Sequence, residues 1–138
     1  MTFGAKQKGA NGERELAVLL MVWAREIGVE LDLLRNLEQV RSGGHDLIGL
    51  PGLATECKRV EGLAVAEWWR QTVSQAERAG ARPFLCYRQN RKRWKFVTKT
   101  WVWPASVCEI VVTMDEPEAR LWFHGHLINE ERKRTEGG

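Results

Sequence analysis

A mixed β-sheet flanked by helices, an α/β fold, is what this 138-residue sequence predicts, and three observations predict it. An amphipathic helical stretch opens the chain. Short β-type runs bounded by Gly and Pro turns follow it, and a second amphipathic helix interrupts those runs.

The first helix is expected to start at Asn11, a capping residue, after a basic arm that carries Lys6 and Lys8. Its apolar positions Leu16, Leu19, Leu20, Trp23 and Ile27 share one helical face, and Gly28 ends it. A strand is expected over residues 37–41, followed by the tight turn Ser42-Gly43-Gly44. Residues 46–50 and 53–59 then read as a hairpin around Pro51-Gly52. The second helix spans residues 65–79, with Val65, Trp69, Thr72, Ala76 and Ala79 along one face, and Gly80 stops it. Residues 83–88 and 94–98 read as strands joined by the basic loop 89–93. Further strands are expected over 108–113 and 119–124, and residues 130–138 as a charged tail that frays.

Composition narrows the class. One domain over residues 1–138 fits the length, with 43% hydrophobic and 28% charged residues in an ordinary soluble balance. The longest apolar stretch, Leu16 to Ala24, stops at Arg25, well short of the ~20 residues that cross a bilayer. No signal core opens the chain, so a cytoplasmic location, in a bacterium or a phage-infected host, is expected. Cys57, Cys86 and Cys108 form no CxxC pair and read as reduced, packed thiols. The net charge of +3 permits a nucleic-acid partner without requiring one. The seven tryptophans read as core, although Trp101, Trp103 and Trp122 are candidates for a subunit contact. His124 and His126 alternate on the expected strand and, lacking a third ligand, read as surface histidines.

Asp46 opens one strand of the expected hairpin, and Glu56 and Lys58 lie on the other. Strand side chains alternate, so Glu56 and Lys58 share a face about 6.8 Å apart, while Cys57 turns into the core. Glu-x-Lys alone is more often a surface ion pair. Here it follows Gly43-Gly44-His45-Asp46 and a glutamate-bearing helix. Two carboxylates on adjacent strands repel unless a cation lies between them. Hard Mg²⁺ takes one or two carboxylates, waters and phosphate oxygens, and the Cys57 backbone carbonyl can add another oxygen. Such an ion acidifies water and neutralises charge on a scissile phosphate, and Lys58 would orient or deprotonate the attacking water.

These residues also carry a resemblance. The run Lys8-Gly9-Ala10-Asn11-Gly12-Glu13-Arg14-Glu15-Leu16 resembles the opening of archaeal-type Holliday junction resolvases. Arg41-Ser42-Gly43-Gly44-His45-Asp46 and Thr55-Glu56-Cys57-Lys58 resemble that family's next two motifs. The stretches Arg35-Asn36-Leu37-Glu38-Gln39 and Tyr87-Arg88-Gln89-Asn90-Arg91 are similar to small resolvase-like nucleases of phages and prophages. The resemblance covers residues 8–100 and leaves 101–138 as an unassigned C-terminal extension. It implies a restriction-endonuclease-like α/β fold of the PD-(D/E)XK type. Glu13 would be the helix carboxylate, with Glu15 as its alternative. Asp46 and Glu56 would hold Mg²⁺ (Mn²⁺ substituting), and Lys58 would be the catalytic lysine.

Gln71 and Gln75 lie a turn apart on the second helix, with Trp68 and Arg78 on a face turned away from the apolar stripe. The resemblance implies a glutamine near the phosphate, and Gln71 is the preferred one. Lys6, Lys8, Arg14, Arg41, Ser42, Arg59, Arg70, Arg88, Arg91, Lys92 and Arg93 are expected phosphate contacts, positioning DNA without reading bases. The activity implied is Holliday junction resolution by a homodimer, since a two-fold substrate needs two sites. A restriction-like or nicking nuclease on duplex or forked DNA, and a non-catalytic DNA-binding module, are the alternatives.

Overall fold

Leu16, Ala17, Leu20, Trp23 and Ala24 are buried at helical spacing, and this stripe lays helix α1 (Thr2–Arg25) on one face of the sheet. The chain is seen here as a computed structural model. It describes residues 2–34, 47, 49–59, 61–101 and 109–137, with the side chains of 2–10 and 101 outside that description. The expected strand at 37–41 and the Ser42-Gly43-Gly44 turn fall outside the described residues. The helix starts at Thr2, not at Asn11. Glycines at 4 and 9 suggested a non-helical arm, but Ala5, Lys6, Gln7, Lys8 and Ala10 around them favour helix. Gly28 ends the helical region at φ 80°, with the Val29 amide on the Ala24 carbonyl at 3.0 Å.

Strand β1 (Leu53–Arg59) follows the Pro51-Gly52 turn. Of the expected hairpin, the described residues retain one antiparallel bridge, Leu47 to Thr55, with the Leu47 amide 3.4 Å from the Thr55 carbonyl oxygen. Helix α2 (Val65–Ala79) occupies the expected residues and closes on Gly80 at φ 64°. It crosses to β2 (Arg82–Arg88), which pairs parallel with β1, Glu56 opposite Leu85 and Lys58 opposite Tyr87. Strands β3 (Lys95–Trp101) and β4 (Glu109–Met114) add in antiparallel fashion, giving the order β1-β2-β3-β4.

Residues 119–124 are helical, not a strand. They lie in α3 (Glu116–Gly137), which runs on through the segment expected to fray. Glycine, two histidines and an apolar alternation at Leu121 and Phe123 suggested β structure locally. The helix is set by a buried row four residues apart, Ala119, Phe123 and Leu127. Its start is also capped: the Glu118 carboxylate accepts the Asp115 amide at 3.0 Å, the reach-back half of a capping box. Asp115-x-x-Glu118 was the available signal.

Alternation in β1 divides the core. Leu53 and Cys57 join Phe84, Cys86 and Phe96 under α1 and α3, whereas Leu85 and Val97 on the other face pack against Trp68 of α2. Trp23 lies on Phe96 and Phe123, and Trp122 stacks on Phe84 at 5.3 Å, so Trp122 is committed to this core. Trp101 and Trp103 are outside the described side chains. Helix α3 is fastened to α1 by Glu26, which accepts Arg120 Nε at 2.7 Å; that hydrogen bond holds the Glu26 carboxyl below its usual range. No described helix is long and apolar enough to cross a membrane.

Candidate active site

Glu56 and Lys58 point to the α2 face, since Leu53 and Cys57 fill the opposite one. Glu56 is only 6% exposed. Lys58 Nζ lies 3.7 Å from Glu56 Oε2 and remains partly open to solvent. A buried carboxylate is costly without a countercharge, and Lys58 supplies one on the same face. The Cys57 thiol is buried on the other side, so only its backbone could serve a metal. Carbonyls two apart in a strand share an edge. Because the Thr55 carbonyl accepts the Leu47 amide, the Cys57 carbonyl is turned toward that same edge.

Helix α1 approaches this region through a glycine. A Cβ on Gly12 would stand 2.7 Å from Arg59 Cβ, so the helix backbone rests directly on the end of β1. Glu13 follows Gly12 and precedes the fully buried Leu16 and Ala17 by one turn, and it is half-buried. It therefore lies at the Lys58–Arg59 end of β1, on the helix layer covering the opposite face from Glu56. Glu15 is exposed and ion-paired with Arg88, the register partner of Arg59. Asp46, Arg41 and Ser42 lie outside the described residues. Among the described residues, no three His, Cys, Asp or Glu side chains form a group able to hold a metal ion.

The two glutamines differ. Gln71 is exposed, whereas Gln75 is half-buried and its Oε1 is buried with no hydrogen-bond partner among the described residues. The buried row of α2 is Trp68, Thr72 and Ala76, so the face assigned to Trp68 is the inward one. The expected stripe shares Thr72 and Ala76 with this row, but its Trp69 and Val65 are only half-buried at the rim.

The basic residues fall into two groups. Arg14, Arg70, Arg91, Lys92 and Arg93 are exposed; Lys6 and Lys8 lie on α1 with side chains outside the description. Arg59 is half-buried beneath Gly12, its Nε buried with no partner among the described residues. Arg88 also donates from Nε to the Lys92 carbonyl at 2.7 Å, closing the β2–β3 turn in which Arg91 takes φ 61°. The turn is further tied to the loop after β1, since the Asn90 amide donates to Glu61 Oε1 at 2.7 Å. Sequence reading missed this clasp, because it joins residues far apart in the chain.

A family model described as "Phage putative PDDEXK endonuclease" matches residues 4–133. The chain belongs to this endonuclease family. Its membership in the PDDEXK endonucleases extends past residue 100, where the motif resemblance stopped, and takes in most of α3. Among solved structures, this PDDEXK endonuclease chain is similar to Hjc of Archaeoglobus fulgidus, a Holliday junction resolvase from an archaeal hyperthermophile. The two share 23% identity over 80% of this chain and 85% of that one, with a TM-score of 0.44. No curated protein matches the sequence significantly.

Proposed function

We propose that the chain is a divalent-metal-dependent DNA endonuclease acting on branched DNA, with a four-way junction as its substrate and a homodimer as its working form. The observation that supports the chemistry is the buried Glu56 carboxylate with Lys58 Nζ 3.7 Å away on one sheet face. The preference for branched DNA rests on the sequence resemblance of residues 8–16, 41–46 and 55–58 to junction resolvases.

The donor set suits Mg²⁺ or Mn²⁺: a glutamate oxygen, a strand carbonyl at Cys57, and Asp46. Asp46 precedes in sequence Leu47, the residue bridged to Thr55 of β1. Glu13 lies on the helix layer over the opposite face, so it would join the set only by reaching round the Lys58–Arg59 end of β1, where α1 rests on Arg59. A bound ion would supply Lewis acidity toward a phosphate oxygen and a more acidic water. Glu56 and Asp46 would hold it, and Lys58 would orient the attacking water and offset charge as the P–O bond to the leaving oxygen breaks. Basic residues around the site would hold the phosphodiester backbone without selecting bases.

The test is cleavage of a mobile four-way junction beside a matched linear duplex and a fork, with Mg²⁺ and with EDTA, for wild type and Lys58→Ala. Paired, symmetric, metal-dependent cuts on the junction alone are expected, with Lys58→Ala slowed about 10²- to 10⁴-fold. Equal cutting of duplex would shift the reading to a restriction-like or nicking nuclease. Binding without cutting under any metal would leave a DNA-binding module.

A further inference from the structure

We propose that Gly49 and His126 are positioning residues that lock the register of the segment entering β1, keeping Leu47 in the core and the Glu56 face open to a second carboxylate. This rests on the metal-dependent reading above. Leu50-Pro51-Gly52-Leu53 is a turn closed by the Leu53 amide on the Leu50 carbonyl at 3.3 Å, with Gly52 at φ 71°. Proline followed by a positive-φ glycine is the type II pattern. Paired residue for residue from that turn, Leu47 would stand opposite Glu56. The bridge instead joins Leu47 to Thr55. The chain has two residues between Leu47 and Leu50 but only one between Leu53 and Thr55, the two-against-one count of a β-bulge. Gly49, in the longer arm, takes φ 105°, a conformation that L side chains rarely adopt.

This one-residue offset decides which side chains share a face. Leu47 is fully buried with Leu53 and Cys57 under α1 and α3, the face to which Thr55 also belongs by alternation. Without the offset, a leucine would stand level with Glu56 on the face that carries Lys58. Asp46, which precedes Leu47 in sequence, lies outside the described residues; the offset would govern its access to that face. Helix α3 pins the turn from which the count starts. His126 donates from Nε2 to the Pro51 carbonyl at 2.7 Å and stacks on Trp122, itself stacked on Phe84 of β2. The Glu130 carboxylate, one helical turn on, fills the place that a Cβ on Gly52 would take. From the sheet, the Arg82 amide donates to the Gly52 carbonyl at 2.9 Å. Stability accounts for a pinned turn. The offset, which uses a positive-φ glycine to keep a leucine off the Glu56 face, is what points to the site.

The experiment uses the full chain and three readouts: the nuclear Overhauser contact between Leu47 and Thr55, the Mn²⁺ dissociation constant without DNA, and junction cleavage. Gly49→Val, which disfavours the positive φ, should lose the Leu47–Thr55 contact and weaken Mn²⁺ binding about 10- to 100-fold. Deleting Gly49 removes the extra residue, lets the arms pair one to one at the same register, and should keep both the contact and the wild-type affinity. His126→Phe keeps an aromatic ring on Trp122 but lacks the donor to Pro51; it should weaken Mn²⁺ binding, and His126→Gln should restore it. A folded Gly49→Val with contact and affinity intact overturns the lock. So does equal weakening in the folded valine and deletion variants, since register then decides nothing. If neither Gly49 variant shows a thermal transition, the His126 pair decides: loss in Phe with rescue in Gln supports the lock, and any other result overturns it. Wild type that binds no Mn²⁺ and cuts no junction removes the metal-dependent reading, and the Leu47–Thr55 contact in the variants then decides the lock. Wild type that cuts with Mn²⁺ while Gly49→Val keeps contact and rate removes the lock alone.

Discussion

At the scale of single residues, burial separates roles that composition treats alike. Glu56 is enclosed beside Lys58, whereas Glu15 is exposed and tied to Arg88. Alanine at Glu56 or at Asp46 should therefore reduce cleavage by at least about 10²-fold, on the scale of losing transition-state charge stabilisation. Junction binding in EDTA should stay measurable. Parallel loss of binding and of the thermal transition would assign those residues to folding instead. His126 shows a different use of burial. It donates from Nε2 to the Pro51 carbonyl at 2.7 Å and stacks on Trp122 at 5.2 Å. Burial pushes its pKa below the usual histidine range, partly offset by the Pro51 bond. The folded protein thus resists a proton that the unfolded chain accepts as pH falls through about 6.5. Stability from this group is complete above that pH and is lost below it. The melting temperature should fall between pH 7.5 and 5.5, and His126→Gln should show a shallower decline; an identical decline would remove His126 as a cause.

At the scale of elements, the contact between α1 and β1 depends on a missing side chain. Replacing Gly12 by alanine gains about 1 kcal/mol of helix propensity, but the new Cβ would lie 2.7 Å from Arg59 Cβ, a stiff neighbour. Overpacking of that kind costs about 1 to 3 kcal/mol, so a net loss is expected. Because Glu13 rides on the same turn, Gly12→Ala should also lower cleavage more than its change in urea midpoint explains. A stabilised variant with full activity would show that α1 has room to shift. Helix α3 is equally part of the fold. Phe123 is fully buried against Trp23 and Phe84, so Phe123→Ala should cost about 3 to 5 kcal/mol. Urea unfolding would detect it, and a loss under 1 kcal/mol would mean that the helix packs loosely.

For the whole molecule, charge is concentrated without being large in sum. Arg91, Lys92 and Arg93 project from the β2–β3 turn, which Glu61 and Arg88 hold in place. Neutralising the three together should weaken DNA binding and reduce the salt slope by up to about 2.7. An unchanged slope would make them a solvated turn. A homodimer would place two sites on a two-fold junction, so sedimentation should give twice the 15.8 kDa chain mass and incisions should come in pairs. A monomer making single nicks would favour the duplex-acting reading.

What the sequence determined by itself was local and periodic. The second helix and its Gly80 stop were legible because spacing and a left-handed cap act within a few residues. The placement of Glu56 and Lys58 on one face followed from strand alternation alone. The tertiary structure decided what lies between distant segments. Sequence reading failed at 119–124 because a helix marked by only three core residues has a weak local pattern, and packing on Phe84 and Trp23 fixes it. It also could not show that Arg88 clasps Glu15, that Gly12 lets α1 rest on Arg59, or that Gln75 is the inward glutamine. Each depends on how two elements meet. Contacts between elements depend on the geometry of both surfaces, and neither segment's own periodicity encodes that.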